Sequence, residues 1–227
     1  EEPMQIVSGA IGREIVHFEA PPSNAVPSEM IEFVKWFNES QQRIKKPIIR
    51  SAIAHLYFET IHPFEDGNGR IARAIGDMAL ARADGISDRF YSVSTQIENE
   101  RQAYYNALET QQKSTPDLTH WLKWFLTCLS RAIDNAHQSI AQVLFKSTLW
   151  DKINQHPVNE RQRLVINRML DRHFKGYMNT SKYAKLAKCS SDTALRDIQT
   201  LKARGILIQN PGGGRSTSYR LLTQNEV

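Results

Sequence analysis

The sequence predicts a mainly α protein in two domains: a helical body over residues 1–155, and a small domain of helices with a β-wing over residues 156–227. Three observations point there. Apolar residues recur at helical spacing in one segment after another. His156-Pro157 interrupts that pattern. The charge balance also changes across the interruption: residues 1–158 carry 16 Lys and Arg against 19 Asp and Glu, and residues 159–227 carry 13 against 5.

The elements can be justified in order. Ile11 to Phe18 is short and apolar-rich, with β-branched Ile15 and Val16 ahead of Pro21-Pro22, which reads as a strand or a hairpin edge. Pro47 to Phe58 sets Ile49, Ile53, Leu56 and Tyr57 on one helical face, and Pro63 biases His62 away from helical geometry, so that helix ends there. Helix resumes from Gly69 to Ala83, with Ile71, Ile75, Met78 and Ala79 inward and Gly85 as the C-cap. Ser94 and Glu98 are expected to cap the next helix. Trp121 to Asn154 then forms a long helix with Leu122, Phe125, Leu126, Leu129, Ile133, Ile140, Leu144 and Leu149 near helical spacing. Trp36, Trp121, Trp124 and Trp150 are expected to anchor cores.

The tail has the order helix, turn, helix, wing. Glu160 to Phe174 carries Leu164, Val165, Met169 and Leu170 inward, Thr180 begins the helix that ends at Lys188, and Asp192 to Arg204 follows with Ser191 as its cap. In that last helix Ala194, Leu195, Ile198 and Leu201 pack inward, while Thr193, Arg196, Gln199 and Lys202 face out. Gly205 stops it. Ile206 to Ile208 and Ser218 to Leu222 form two strands around the loop Pro211-Gly212-Gly213-Gly214-Arg215, which completes a helix-turn-helix with a β-wing.

The chemistry is concentrated in His62-Pro63-Phe64-Glu65-Asp66-Gly67-Asn68-Gly69-Arg70-Ile71-Ala72-Arg73. An imidazole can accept a proton near neutral pH, and a carboxylate can hold a divalent cation that bridges phosphate oxygens. Two glycines let backbone amides approach an anion, and two guanidiniums can fork onto charged oxygens. Singly, each residue has a plain reading: a helix-end cap, a surface turn, a solvated basic face. Phosphate chemistry accounts for all of them together. The second helix begins inside the glycine turn, so its positive dipole end faces whatever anion sits in the loop.

This segment resembles the signature of the Fic (filamentation induced by cAMP) family, His-x-Phe-x-(Asp/Glu)-Gly-Asn-Gly-Arg-x-x-Arg, at every defined position. The similarity runs from about Arg13 to Leu126, roughly half of the chain, and includes Ser94 to Leu108. The resemblance implies a helical core with a β-hairpin flap, and transfer of AMP from ATP to a protein hydroxyl with pyrophosphate leaving. It implies that His62 deprotonates the attacking Ser, Thr or Tyr, and that Asp66 holds Mg²⁺ between the α- and β-phosphates. Gly67, Asn68 and Gly69 would form the anion hole, Arg70 would steady loop and phosphates, and Arg73 would reach the γ-phosphate. Phe64 would anchor the loop in the core.

The same resemblance makes Ile15, Val16, His17 and Phe18 the flap edge that aligns a target by strand addition. It places Tyr104 near the adenine and Gln112 within reach of the nucleotide, with a core aromatic beside Tyr105 as the other reading of Tyr104. Ser94-Thr95-Gln96-Ile97-Glu98-Asn99 matches the family's inhibitory pattern (Ser/Thr)-x-x-x-Glu-(Gly/Asn), but it lies in the helix common to the fold and reads as a decoy. Glu1-Glu2-Pro3 suggests that a segment carrying such a brake preceded it. Gly69 disfavours a kinase-like Doc relative, which usually has lysine there. UMP, GMP or phosphocholine as the transferred group stays open.

The tail resembles the winged helices appended to some Fic proteins. Thr193, Arg196 and Gln199 would then meet base edges and Arg215 a phosphate or the minor groove, although winged helices also dock proteins and dimerise. The implied partners are ATP, a hydroxyl-bearing target protein that includes the chain itself, a second copy of the chain, and DNA or a docking protein. A DNA-binding regulator with a nucleotide-sensing Fic portion is the alternative function. Two cysteines, Cys128 and Cys189, no apolar run long enough for a bilayer and no signal peptide predict a cytoplasmic protein with no membrane partner.

Overall fold

The computed structural model describes residues 3–8, 13, 15–85, 89–113, 116–171, 173–214, 217–223 and 226. It is mainly helical with two small antiparallel strand pairs, as the sequence predicts. The chain divides into two compact units, Glu1–His137 and Gln138–Val227. The sequence expects the boundary at His156. The division falls instead within the long helix α6 (Thr119–Asn154), because Leu149 and Ile153 near its end are fully buried in the second core.

In the first unit, β1 (Gln5–Ser8) and β2 (Ile15–Glu19) pair antiparallel, with a bulge between Ile6 and Val7. The helix α1 (Val26–Arg43) packs Phe33 and Phe37 against Tyr57 and Phe58 of α2 (Pro47–Ile61). Arg50 of α2 is buried and donates to Ser40 Oγ at 2.9 Å and to the Phe37 carbonyl, which satisfies a charge that burial would otherwise penalise.

The helix α2 is buried nearly all round: Arg50, Ser51, Ala52, Ala54, His55, Leu56, Phe58, Glu59 and Ile61 are all inaccessible. The single face expected from Ile49, Ile53, Leu56 and Tyr57 is therefore too narrow a description. α3 (Asn68–Asp84) is corrected in the same direction. Its inward residues include Asn68, Ala72, Gly76, Ala79 and Leu80, whereas Ile71 and Met78 are exposed. The reason is proximity. A Cβ on Gly76 would stand 3.3 Å from Ser51 Oγ, so the α2–α3 contact is made across small side chains.

The next layer comprises α4 (Val93–Asn99), α5 (Arg101–Gln112) and the start of α6 around Trp121, whose Nε1 donates to the Ala52 carbonyl at 2.8 Å. α4 is capped by Ser92, which accepts from the Thr95 N–H, and not by Ser94. The four tryptophans all join core clusters, as expected.

In the second unit, α7 (Glu160–Met169), α8 (Thr180–Ala187) and α9 (Ser191–Ala203) lead into β3 (Leu207–Gln209) and β4 (Tyr219–Leu221). The caps are Asn159, Asn179 and Ser190, each one residue before its helix. Asp197 is buried and accepts from Asn159 Nδ2 at 3.0 Å, Arg161 Nε at 3.0 Å and the Tyr183 hydroxyl at 3.2 Å. It ties the three helices together. Val165 and Ile166 fill the core, while Leu164 and Leu195, expected inside, are exposed, as are Ile140 and Leu144 of α6. Among the described residues, no helix is long and apolar enough to cross a membrane.

Candidate active site

The His62–Arg73 segment forms the loop between α2 and α3. His62 is the C-cap of α2 in a left-handed conformation, φ 50°, and its N–H reaches the Phe58 carbonyl at 3.1 Å. For a non-glycine residue that conformation costs about 1–3 kcal/mol and is stored where surrounding structure enforces it. Pro63, which cannot extend the helix, follows directly. The ring Nδ1 donates to the Glu59 carbonyl at 3.4 Å, which leaves Nε2 as the unprotonated nitrogen of the neutral ring. Burial lowers the pKa of the imidazole below its ordinary value, against a partial opposing effect of the Glu59 bond. His62 lines a recess of about 230 Å³ with Met4, Pro21, Ser23, Val26, Pro63 and Glu65.

The turn is shaped by Asn68. Its buried side chain accepts from the Phe64 N–H at 3.1 Å and donates to the Phe64 carbonyl at 2.6 Å. Phe64 itself is 47% exposed, with its ring centroid 6.3 Å from that of buried Phe58, so the expected hydrophobic anchor is partial and this two-ended amide tie supplements it. Gly67 is the N-cap of α3 with φ 89°, and it supplies no side-chain cap. The amides that begin α3, on Asn68, Gly69 and Arg70, precede the first intrahelical bond, from Ile71 to the Gly67 carbonyl. Three donors and the positive end of the helix dipole thus lie at the turn.

Asp66 and Arg70 are both exposed and bonded to each other at 2.9 Å, and Asp66 also accepts from the Gly67 N–H at 2.6 Å. Among the described residues no group of three or more His, Cys, Asp or Glu could hold a metal ion. A single accessible carboxylate still fits Mg²⁺, because this ion keeps waters and shares its coordination with substrate phosphates.

Arg73 is half-buried one turn further along α3. A Cβ built on Gly69 would lie 3.4 Å from Arg73 Nη1 and 3.8 Å from Glu59 Oε1, so the Arg73 and Glu59 side chains both border the backbone at the start of α3.

A larger cleft of about 530 Å³ lies between the hairpin and α5, lined by Ile6, Val7, His17 and Phe18, by Glu59, and by Arg101, Tyr105, Glu109 and Gln112 among others. His17 Nδ1 stands 3.1 Å from Glu109 Oε2 and pins β2 to α5. Ile15 pairs with Ser8, and Val16 is 43% exposed opposite Val7. Gln112 lines the cleft with its Nε2 buried and unsatisfied. Tyr104 does not reach it: the ring is 2% exposed, shares a 3.0 Å hydrogen bond with His55 and sits among Trp121 and Trp124. Its neighbour Tyr105 lines the cleft.

Sequence reasoning missed Tyr105 and Glu59. The one available signal for Glu59 was its place as the sole acidic residue of α2, one turn before His62.

In the second unit Arg196 and Gln199 are exposed on α9. Thr193 is half-buried, with its Oγ1 at 2.9 Å from Ser190 Oγ. Arg215 lies outside the described residues.

Residues 3–80 match the Fic/DOC family model. That match makes the segment similar to Fic/DOC domains.

The chain is 30% identical over 105 residues to "Protein adenylyltransferase Fic" of Culex quinquefasciatus, covering 46% of this chain and 19% of that protein. It is 35% identical over 83 residues to "Protein adenylyltransferase fic-1" of Caenorhabditis briggsae, covering 37% of this chain and 15% of that one. The alignments thus span less than a fifth of these curated relatives. A crystal structure of a Fic family protein from Desulfovibrio desulfuricans G20 shares 22% identity over 94% of this chain and 59% of its own, with a TM-score of 0.46. That likeness is loose, and the sequence similarity lies in the segment that matches the Fic/DOC model.

Proposed function

We propose that the first unit is a protein adenylyltransferase that moves AMP from ATP to a Ser, Thr or Tyr hydroxyl and releases pyrophosphate. The observation that carries this reading is the complete His62–Arg73 loop, set where α2 ends and α3 begins with three free amides at the turn. The names of the relatives agree with it.

In the reaction His62 Nε2 takes the hydroxyl proton as the oxygen attacks the α-phosphorus. The bond to the β-phosphate bridging oxygen breaks, and pyrophosphate carries that electron pair away. The amides of Asn68, Gly69 and Arg70 offset the charge on the phosphate oxygens. Arg70 and Arg73 add charge-assisted bonds, with Arg73 holding the terminal phosphate so that ATP is preferred to ADP. Asp66 would hold Mg²⁺, which when bound draws charge from the phosphate oxygens. The cleft between hairpin and α5 offers Tyr105 and Phe18 as apolar walls for the nucleoside. The edge of β2 would align the target chain.

Incubating the protein with ATP and a cell lysate, then mapping modified residues by mass spectrometry, tests this. AMP on a hydroxyl side chain is expected; no nucleotidyl adduct, with ATP or another donor, contradicts it.

A second role is proposed for the other unit. Its net positive charge and the exposed Arg196 and Gln199 on α9 support a winged helix that binds duplex DNA. Arg196→Ala should weaken binding and flatten its salt dependence in a titration; absence of binding at low salt favours a protein-docking role. Cys128 and Cys189 are free, which suits the reducing cytoplasm we propose as its compartment.

A further inference from the structure

Glu59 has a side chain that the reaction above does not use. It is 5% exposed, and its Oε2 is buried with no hydrogen-bond partner among the described residues. An orphaned buried carboxyl is costly, and more so when ionised. It is not in an apolar core. Glu59 lines the 530 Å³ cleft together with Gln112, whose Nε2 is likewise buried and unsatisfied. On the other side it faces the start of α3, where Glu59 Oε1 and Arg73 Nη1 lie 3.8 and 3.4 Å from the position that a Cβ on Gly69 would occupy, so both groups border the same stretch of backbone.

We propose that Glu59 couples binding of a polyphosphate at the start of α3 to the uptake of one proton, and so acts as a positioning residue for Arg73. The inference rests on the reading that the loop holds the phosphates of ATP. Ionised Glu59 offsets the charge of Arg73 and repels an incoming anion. Protonated Glu59 no longer offsets the charge of Arg73, which is then fully available to the phosphates, and its O–H can itself donate to a phosphate oxygen. An anion bound nearby disfavours the carboxylate further, so binding draws a proton in. Burial already raises this carboxyl to about 7, against an opposing effect of Arg73, so the proton is exchangeable at working pH.

The charged and titratable groups around it come from each packed element. They are Arg73 of α3, Tyr104, Arg101 and Glu109 of α5, His17 of β2, and His62 at the end of its own helix. Arg73 is the only cation among the causes of its shift.

Isothermal titration of ATP into the intact chain and into Glu59→Gln, in two buffers of different ionisation heat at about pH 8, reads the proton count directly. The intact chain should take up as much as about one proton more per ATP than the variant. Its Kd for ATP should also weaken by up to about tenfold, for each unit by which the bound anion raises the carboxyl, as pH rises through about 7. The variant should show only the nucleotide's own ionisation.

Equal proton counts in the two proteins overturn the inference. If the variant fails to fold, as checked by circular dichroism, uptake of more than about half a proton by the intact chain sustains the inference and zero uptake ends it. Absence of any ATP binding removes the adenylyltransferase reading and this inference together, whereas binding without proton uptake removes only the second.

Discussion

At His62 two effects set the chemistry. The left-handed cap turns the ring out of α2, and the Nδ1 bond to the Glu59 carbonyl leaves Nε2 free to accept a proton. Burial lowers its pKa, so the acid limb of the pH–rate profile of the proposed transfer should fall below the ordinary histidine range. His62→Ala should reduce transfer by about 10²- to 10⁴-fold while ATP still binds, which steady-state rates and titration calorimetry can separate. At Glu59 the folded-state pKa of about 7 exceeds the ordinary 4.5, so the native chain binds that proton more tightly than the unfolded one. The resulting stabilisation is fully present below 4.5 and is lost as pH rises through 7. Glu59→Gln should therefore raise the melting temperature at alkaline pH and leave it nearly unchanged in acid, as thermal melts across pH would show. The loop residues were legible because they are contiguous. Glu59 and Tyr105 were not, because they depend on how α2 and α5 face each other, and that register is not written in any short motif; of the two readings of Tyr104, the core aromatic is the one its burial fits.

Among the elements, α3 shows why helical faces were misassigned. Of the expected Ile71, Ile75, Met78 and Ala79, Ile75 and Ala79 pack inward while Ile71 and Met78 do not, because α2 and α3 approach across Ser51, Ala72 and Gly76, and close approach selects small residues over large ones. Gly76→Val should push these helices apart and destabilise the fold by about 1–3 kcal/mol, read as a lower melting temperature with the loop chemistry impaired in parallel. An unaltered melting curve would show that the contact tolerates bulk. The hairpin gives a similar lesson. β2 was visible from its β-branched run, whereas β1, with Gln5 and Ser8 at its ends, carries too weak a pattern to be read alone. The two expected caps, Ser94 and Ser191, fall within two residues of the observed Ser92 and Ser190, since serines neighbour one another there and only geometry picks the one that bonds.

For the whole molecule, the division into two units is written in the charge asymmetry, but its position is not. The His156-Pro157 break marks where α6 stops, while the packing changes hands earlier, where buried residues of α6 pass from the first core to the second. The first unit brings a base, free amides, two arginines and an accessible carboxylate to one turn, beside a cleft of nucleoside size. The most direct measurement of what that arrangement does is the fate of the two ends of ATP. The protein is incubated in parallel with ATP labelled at the α-phosphorus and at the γ-phosphorus, and the protein fraction is counted. Label from the α position alone, lost in His62→Ala, is the expected result. Label from the γ position, or none from either, would contradict nucleotidyl transfer by this loop.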